Sequence, residues 1–254
     1  MTLPRTPSFR LDGRRALVAG ASSGIGVACA VALAEQGAEV WLCARRAAEL
    51  NALADEMLAA GFNAHALPLD ITDTATTEAT LSALPAFDIL VNSAGGARHS
   101  PAVNTTPEDF DFATNLNLRA AYFLTRSIAA RLIEVGKPGS LINITSQMAH
   151  VGGIDRAVYA ATKHAVEGMT KSMAIEWGPH GIRVNTIAPT FIRTALTAAT
   201  FANPERAAWI ISKIKLGRVG EVTDIMGAVA LLASDAASLI TGTSLIVDGG
   251  WTAD

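Results

Sequence analysis

Arg15-Ala16-Leu17-Val18-Ala19-Gly20-Ala21-Ser22-Ser23-Gly24-Ile25-Gly26 is the stretch that decides the fold. A short apolar run suited to a buried strand enters a Gly-x-x-x-Gly-x-Gly turn, and an alanine-rich stretch over 27–36 then takes helical form. Strand, glycine turn and helix start are the parts of a dinucleotide phosphate site. The glycines let backbone N–H groups approach a pyrophosphate, and the helix N-terminus supplies positive potential. The spacing departs from the commoner Gly-x-Gly-x-x-Gly fingerprint. Gly20, Ser22 and Gly24 also fit Gly-x-Ser-x-Gly, the nucleophile elbow of a hydrolase. An elbow follows several strands and precedes an acid and a histidine, whereas this turn closes the first strand, and Gly26 would have no purpose in it.

Outward from that turn, strand-like runs alternate with helical ones to the end of the chain. This predicts an α/β fold with a doubly wound parallel sheet and right-handed crossovers, a Rossmann fold. With 254 residues, half of them apolar, the chain can bury a large core. No linker, low-complexity tract or repeat divides it, so a single domain over 1–254 is expected, with 1–14 as a polar lead-in. That lead-in lacks the apolar core of a signal peptide, and no run approaches 18 apolar residues, so no membrane partner is expected. A net charge of −3 with dispersed basic residues gives no nucleic-acid footprint. Cys29 and Cys43 read as small core residues in a reducing, cytoplasmic setting. The five histidines show no metal-ligand spacing, and no metal is expected. His164 reads as helix surface or subunit contact.

Chemistry concentrates further along. Tyr159 and Lys163 stand four residues apart, a spacing that puts both on one helix face, and Ser146 lies upstream. At about 5 Å and an effective dielectric of about 20, one positive charge favours phenolate by roughly 3 kcal/mol. That is about two pKa units off a reference near 10, towards a useful acid/base range.

Taken together, these motifs resemble the short-chain dehydrogenase/reductase family, and the resemblance covers nearly the whole chain. Asp70, after a strand-like run over 64–69, matches the family's adenine contact. Asn92-Ser93-Ala94-Gly95 is similar to the family's Asn-Asn-Ala-Gly. Asn117 resembles the tetrad asparagine, with Asn115 as a competing register. Arg183-Val184-Asn185-Thr186-Ile187-Ala188-Pro189 is like the stretch before the nicotinamide-binding turn, and Val247-Asp248-Gly249-Gly250 is like the C-terminal signature. The resemblance implies a catalytic set of Asn117, Ser146, Tyr159 and Lys163. It implies cofactor contacts from Gly20, Ser22, Ser23, Gly24, Ile25, Gly26, Arg45, Arg46, Asp70, Ile71, Asn92, Ala94, Gly95, Tyr159, Lys163, Pro189, Thr190, Ile192 and Thr194. In its mechanism Tyr159 protonates a carbonyl oxygen, Ser146 positions that oxygen, Lys163 lowers the Tyr159 pKa and binds the ribose, and Asn117 holds a proton-path water. The chain departs from the family at Ala19 (usually Thr), Ser93 (usually Asn) and Thr190 (usually Gly). The first two are bracing changes, and the third alters the nicotinamide edge, where glycine permits unusual dihedrals.

Cofactor choice turns on Ala44-Arg45-Arg46 after the second strand. An acid there would bind a ribose 2′-hydroxyl, whereas arginine accommodates a 2′-phosphate. NADP is therefore expected, with NAD kept open by the absence of a basic residue inside the glycine loop. The substrate lining is expected from 96–104, 147–156 and a lid over 190–218. These segments carry Arg98, His99, Gln147, His150, Asp155, Arg156, Arg193 and Trp209, a polar set that suits a sugar, polyol or sugar acid. The alternatives are a 3-oxoacyl thioester reductase of the same family and a nucleotide-sensing module without turnover. A homotetramer is expected. The helices over 114–135 and 157–178 carry surplus small or apolar residues (Ala120, Ala121, Phe123, Ala129, Ala130; Val158, Ala161, Ala165, Met169), and in the family these helices and the C-terminal strand and tail, here 244–254, form the interfaces.

Overall fold

In a computed structural model the chain is described from Leu3 to Ala253; Met1 and Thr2 of the lead-in and Asp254 of the tail lie outside the described residues. Seven strands form one sheet: β1 (Arg15–Ala19), β2 (Glu39–Ala44), β3 (Ala64–Pro68), β4 (Ile89–Asn92), β5 (Gly139–Ile144), β6 (Ile182–Pro189) and β7 (Ser244–Val247). Their order is β3-β2-β1-β4-β5-β6-β7, and every pairing is parallel. Parallel strands lie between helical layers, which is why Ala16–Ala19 and Ile89–Val91 are apolar on consecutive positions and fully enclosed.

The helices divide between the two faces. One core holds α1 (Ile25–Glu35), α2 (Ala47–Ala59) and α7 (Thr223–Ala233) against the sheet. The other face buries Leu81 of α3 (Thr74–Ser82), Leu124, Ile128 and Leu132 of α5 (Ala121–Glu134) and Met173 and Ala174 of α6 (Ala157–Trp177). The chain order reverses between β1 and β4, so a crevice opens beyond the carboxyl ends of these neighbouring strands. Ligands of such sheets bind at that position.

Gly26 shows why the opening turn needs glycine. A Cβ there would collide with the Gly20 carbonyl oxygen, so its absence lets α1 seat against the end of β1. Gly20 itself has φ +78°, and a Cβ would stand 2.7 Å from the Ala94 nitrogen of the next loop.

Two expectations need correcting. The helix expected over 114–135 is a composite: α4 (Pro107–Thr114), a π-helical turn over Asn115–Ala120, then α5. Within it Ala120, Ala121 and Ala129 are buried inside the protomer, so they are core and not surplus surface. Exposed apolar area comes instead from Phe110, Tyr122 and Ile175, and from Ile246 on β7, an edge strand.

Candidate active site

At the crevice, a cavity of about 350 Å³ is walled by Gly20, Ser22, Ser23, Gly24 and Ile25, by Ala44, Arg45 and Arg46, and by Asp70, Ile71, Ala94 and Gly95. The N-terminus of α1 opens onto it with no side-chain cap and no acid in the first turn. Its unsatisfied N–H groups are therefore available to an anion. Arg46 Nη2 donates to Ser22 Oγ at 2.9 Å and Ser23 Oγ at 3.3 Å, with Glu49 on its other nitrogen at 3.2 Å. Arg45 is exposed on the same rim. Asp70 accepts from Thr72 N at 3.0 Å and Thr72 Oγ1 at 2.7 Å, which fixes its carboxylate.

Two expected cofactor residues line neither this cavity nor the one beside it. Gly26 lies behind it as the helix seat. Asn92 is buried; its amide donates to Asn143 Oδ1 at 3.0 Å and accepts from Ala94 N at 3.2 Å, so it braces the loop that presents Ala94 and Gly95.

A second cavity, about 330 Å³, shares Ile25, Ser93, Gly95, Thr194 and Leu196 with the first, and Ser146, Tyr159, Lys163, Pro189, Thr190 and Ile192 line it. Ser146 follows β5 and accepts from Met148 N at 3.1 Å, which leaves its hydroxyl proton to donate inward. Tyr159 and Lys163 stand on the first turns of α6, and the Lys163 ammonium is 5.7 Å from the Tyr159 ring centroid. Lys163 Nζ donates to Ile144 O at 2.9 Å. Asn117, inside the π turn, is buried. Its Oδ1 accepts from Gly96 N at 2.9 Å, and its Nδ2 donates to Gly96 O at 2.8 Å and Thr162 Oγ1 at 3.3 Å. Asn115 points to solvent, so the π turn selects Asn117; such turns recur at functional sites. Asn117 Oδ1 and Lys163 Nζ converge on Gly95, where a Cβ would stand 3.3 and 3.6 Å from them. With both ends of the amide engaged, the Asn117 side chain holds the Gly96 loop, and its Oδ1 keeps one further acceptor site.

Burial dominates the electrostatics. It raises the Tyr159 pKa above 10.0, while the Ser146 hydroxyl and the Arg156 charge pull it down less strongly. The phenol therefore lies above its ordinary value, against the expectation of a lowered one: desolvation of the phenolate outweighs the Ser146 hydroxyl and the Arg156 charge. Burial also lowers Lys163 to about 8, opposed by Glu167. Glu167 was not anticipated, although it sits one turn beyond Lys163 on the same face. Its carboxylate accepts from Thr145 at 2.7 Å, Thr186 at 2.8 Å and Ser244 at 3.1 Å.

Of the polar residues expected around the substrate, His99, Gln147 and Arg156 line the cavity. The others are engaged elsewhere. Arg98 pairs with Asp109 and stacks on Phe112, His150 meets Ser244, Arg193 pairs with Glu221, and Trp209 packs edge-on against Trp251. Asp155 is exposed, with φ 60°. Met148, Phe191, Leu196, Thr197 and Thr200 complete the wall, and no single-position signal marks them. Thr190 takes an ordinary backbone conformation and donates its N–H to Val247 O at 3.1 Å, so the absent glycine is not needed there. Ala19 is fully enclosed between Cys43 and Asn92. His164 is exposed and bonded to Ala160 O. Among the described residues no helix is long and apolar enough to cross a membrane.

The chain is matched over residues 20–252 by a family model described as enoyl-(acyl carrier protein) reductase. It is 39% identical over 245 residues to D-erythrulose reductase of Gallus gallus, covering 96% of this chain and 98% of that protein. It is 40% identical over 253 residues to D-threitol dehydrogenase of Mycolicibacterium smegmatis, covering 96% and 95%. The crystal structure of a gluconate 5-dehydrogenase from Burkholderia cenocepacia, in complex with NADP and tartrate, superposes with a TM-score of 0.94 at 35% identity, covering 97% of this chain and 98% of that one. With its seven-stranded parallel sheet, its glycine turn and its Ser146, Tyr159 and Lys163, this chain belongs to the short-chain dehydrogenase/reductase family.

Proposed function

We propose that the protein is an NADP(H)-dependent oxidoreductase that interconverts a ketone or aldehyde and an alcohol on a hydroxylated substrate of sugar or polyol size. The observation that carries this reading is the meeting of Ser146, Tyr159 and Lys163 in a cavity continuous with an anion-ready helix terminus. The residues present fit the cofactor. Uncapped N–H groups of α1 suit a pyrophosphate, and Gly20 and Gly24, both at positive φ, shape the turn that presents them. Ser22, Arg45 and Arg46, with Ala44 in place of an acid, suit a 2′-phosphate. Bound there, reduced nicotinamide supplies the hydride that the carbonyl carbon receives.

The chain's own groups handle the oxygen and the proton. Tyr159, held neutral by burial, is a proton donor at neutral pH and delivers its phenolic proton to the carbonyl oxygen as negative charge develops on it. Ser146 donates its hydroxyl hydrogen to the same oxygen, and both act on charge that is larger in the transition state than in the ground state. Lys163 stabilises the phenolate left behind, and Glu167 keeps positive charge on that lysine. Residues 190–218 act as the substrate lid, carrying Phe191, Leu196, Thr197 and Thr200 onto the cavity.

The names of the relatives support a small polyhydroxylated substrate, and the NADP in the structural neighbour supports the cofactor. Exposed Tyr122 and Ile175 on α5 and α6, and Ile246 on the edge strand, support a homo-oligomer, a tetramer when both surfaces are used. Cys29 and Cys43, both buried free thiols raised to about 12, suit a reducing cytoplasmic setting. A panel of polyols and hydroxylated carbonyl compounds, followed by absorbance of the reduced nicotinamide, tests the reading. NADP(H)-dependent turnover is expected, and cofactor binding without turnover would favour a nucleotide-sensing module instead.

A further inference from the structure

Gln147 lines the catalytic cavity with both ends of its carboxamide unused, beside the likewise unpartnered hydroxyl of Thr190. It follows Ser146, is 1% exposed, and neither its Nε2 nor its Oε1 has a partner among the described residues. A buried carboxamide brings two donors and an acceptor. Leaving them unpaired is costly, and natural proteins rarely do so without a ligand or water to complete them.

The charges around the same cavity are one-sided. Arg156 and Lys163 line it, and among the described residues no aspartate or glutamate does. Lys163 is committed to Ile144 O and sits over Glu167. The Arg156 guanidinium has no carboxylate partner among the described residues. Its titratable neighbours are Arg206, a second cation, stacked over Trp209 at 4.7 Å, and the neutral Tyr159 hydroxyl. Burial and the Arg206 charge both hold Arg156 below the usual guanidinium range. The stem is packed in place: a Cβ on Gly153 would stand 3.1 Å from Arg156 Cγ and 2.9 Å from Met148 Sδ. Asp155 next to it is exposed and forms no ion pair with it. An unpaired guanidinium is thus held three residues before Tyr159, where a planar anion can be taken by its fork of donors.

We infer that Arg156 and Gln147 select a hydroxylated keto acid over a neutral ketose, with Arg156 taking the carboxylate and Gln147 a hydroxyl beside the reacting carbon. This rests on the carbonyl reductase reading and narrows its substrate to the sugar acid class. Two donors and an acceptor on Gln147 match a hydroxyl that both gives and receives a hydrogen bond. A neutral ketose would satisfy Gln147 and leave Arg156 unpaired.

The test compares 5-keto-D-gluconate, L-xylulose and D-xylulose 5-phosphate as substrates with saturating NADPH, for the wild type, Arg156→Met and Gln147→Leu. The wild type should prefer the keto acid in kcat/KM. Arg156→Met should cost the keto acid about 10- to 150-fold more than it costs L-xylulose, as expected for one charge-assisted contact, and mainly through KM. Gln147→Leu should lower kcat/KM for every hydroxylated substrate while raising Tm, because it removes an unpaired buried amide; a purely structural glutamine would lower Tm. A wild type that prefers L-xylulose or the ketose phosphate overturns the assignment and leaves the reductase reading standing. So does an Arg156→Met variant that loses equally on all substrates, since the guanidinium would then act on Tyr159. A protein that binds NADPH and reduces no carbonyl at all overturns both.

Discussion

The cofactor wall and the substrate wall meet along Ile25, Ser93, Gly95, Thr194 and Leu196, yet they are built differently. On the cofactor side the contact surface is mostly backbone: the turn after β1, the uncapped start of α1 and the loop after β4, held by glycines that tolerate no side chain. On the substrate side the surface is side chains carried in by loops after β4, β5 and β6, and two of them, Gln147 and Thr190, bring buried polar atoms with no partner. One wall is complete as folded, and the other is finished by what binds to it. Cofactor recognition therefore depends on chain geometry, while substrate recognition depends on which way individual side chains turn.

Changes at the junction should have the largest effect. Tyr159→Phe removes the proton donor and almost none of the ring surface, so turnover should fall about 10²–10⁴-fold. NADPH affinity, read by fluorescence titration, should stay within about three-fold, because the cofactor wall is built elsewhere. Activity within a few-fold of wild type would remove Tyr159 from the chemistry.

A change on the cofactor wall alone should be smaller and selective. Arg45→Asp places a carboxylate where a 2′-phosphate is expected, and NADPH affinity should fall about 10- to 150-fold while NADH affinity rises. Unchanged NADPH binding would mean that Arg46, already braced by Ser22 and Ser23, carries the phosphate alone.

The pH profile separates the two directions of reaction. Carbonyl reduction needs the neutral phenol, which burial preserves, and a charged Lys163, whose pKa is lowered to about 8. As pH rises past about 8 the lysine charge is lost, so kcat/KM for reduction should fall by up to about ten-fold per pH unit. Alcohol oxidation needs the phenolate and should rise over the same range. Parallel profiles in both directions would contradict this assignment.

The smallest effect belongs to the substrate wall. Thr190→Val removes an unpaired buried hydroxyl and should raise stability by about 1 kcal/mol, with activity within about three-fold. A large loss of activity would show that the Thr190 hydroxyl is used by a ligand.

The same division explains how much could be read beforehand. The sheet, the glycine turn and the Tyr159/Lys163 pair depend on spacing along one segment, and spacing is visible in a sequence. The features that stayed hidden depend on several segments meeting. Glu167 gains its role from hydroxyls on β6, β7 and the end of β5. Arg98 and Arg156 look alike as loop arginines, but Asp109 and Phe112 turn the first away from the cavity, and nothing acidic among the described residues holds the second. Ala120, Ala121 and Ala129 read as spare surface because small residues on several faces of a helix look surplus, whereas they are buried beside Leu124, Ile128 and Leu132. Burial raises the Tyr159 pKa and lowers the Lys163 pKa, and no pair spacing reports burial.

The central claim is that Ser146, Tyr159 and Lys163, beside a cofactor wall built for NADP, reduce a carbonyl on a hydroxylated substrate. The most direct test is the stoichiometry of NADPH consumed to alcohol formed by the wild-type protein with 5-keto-D-gluconate and L-xylulose. One alcohol per NADPH is expected on at least one of the two, with much slower consumption of NADH. Tight NADPH binding with no alcohol formed from either would contradict it.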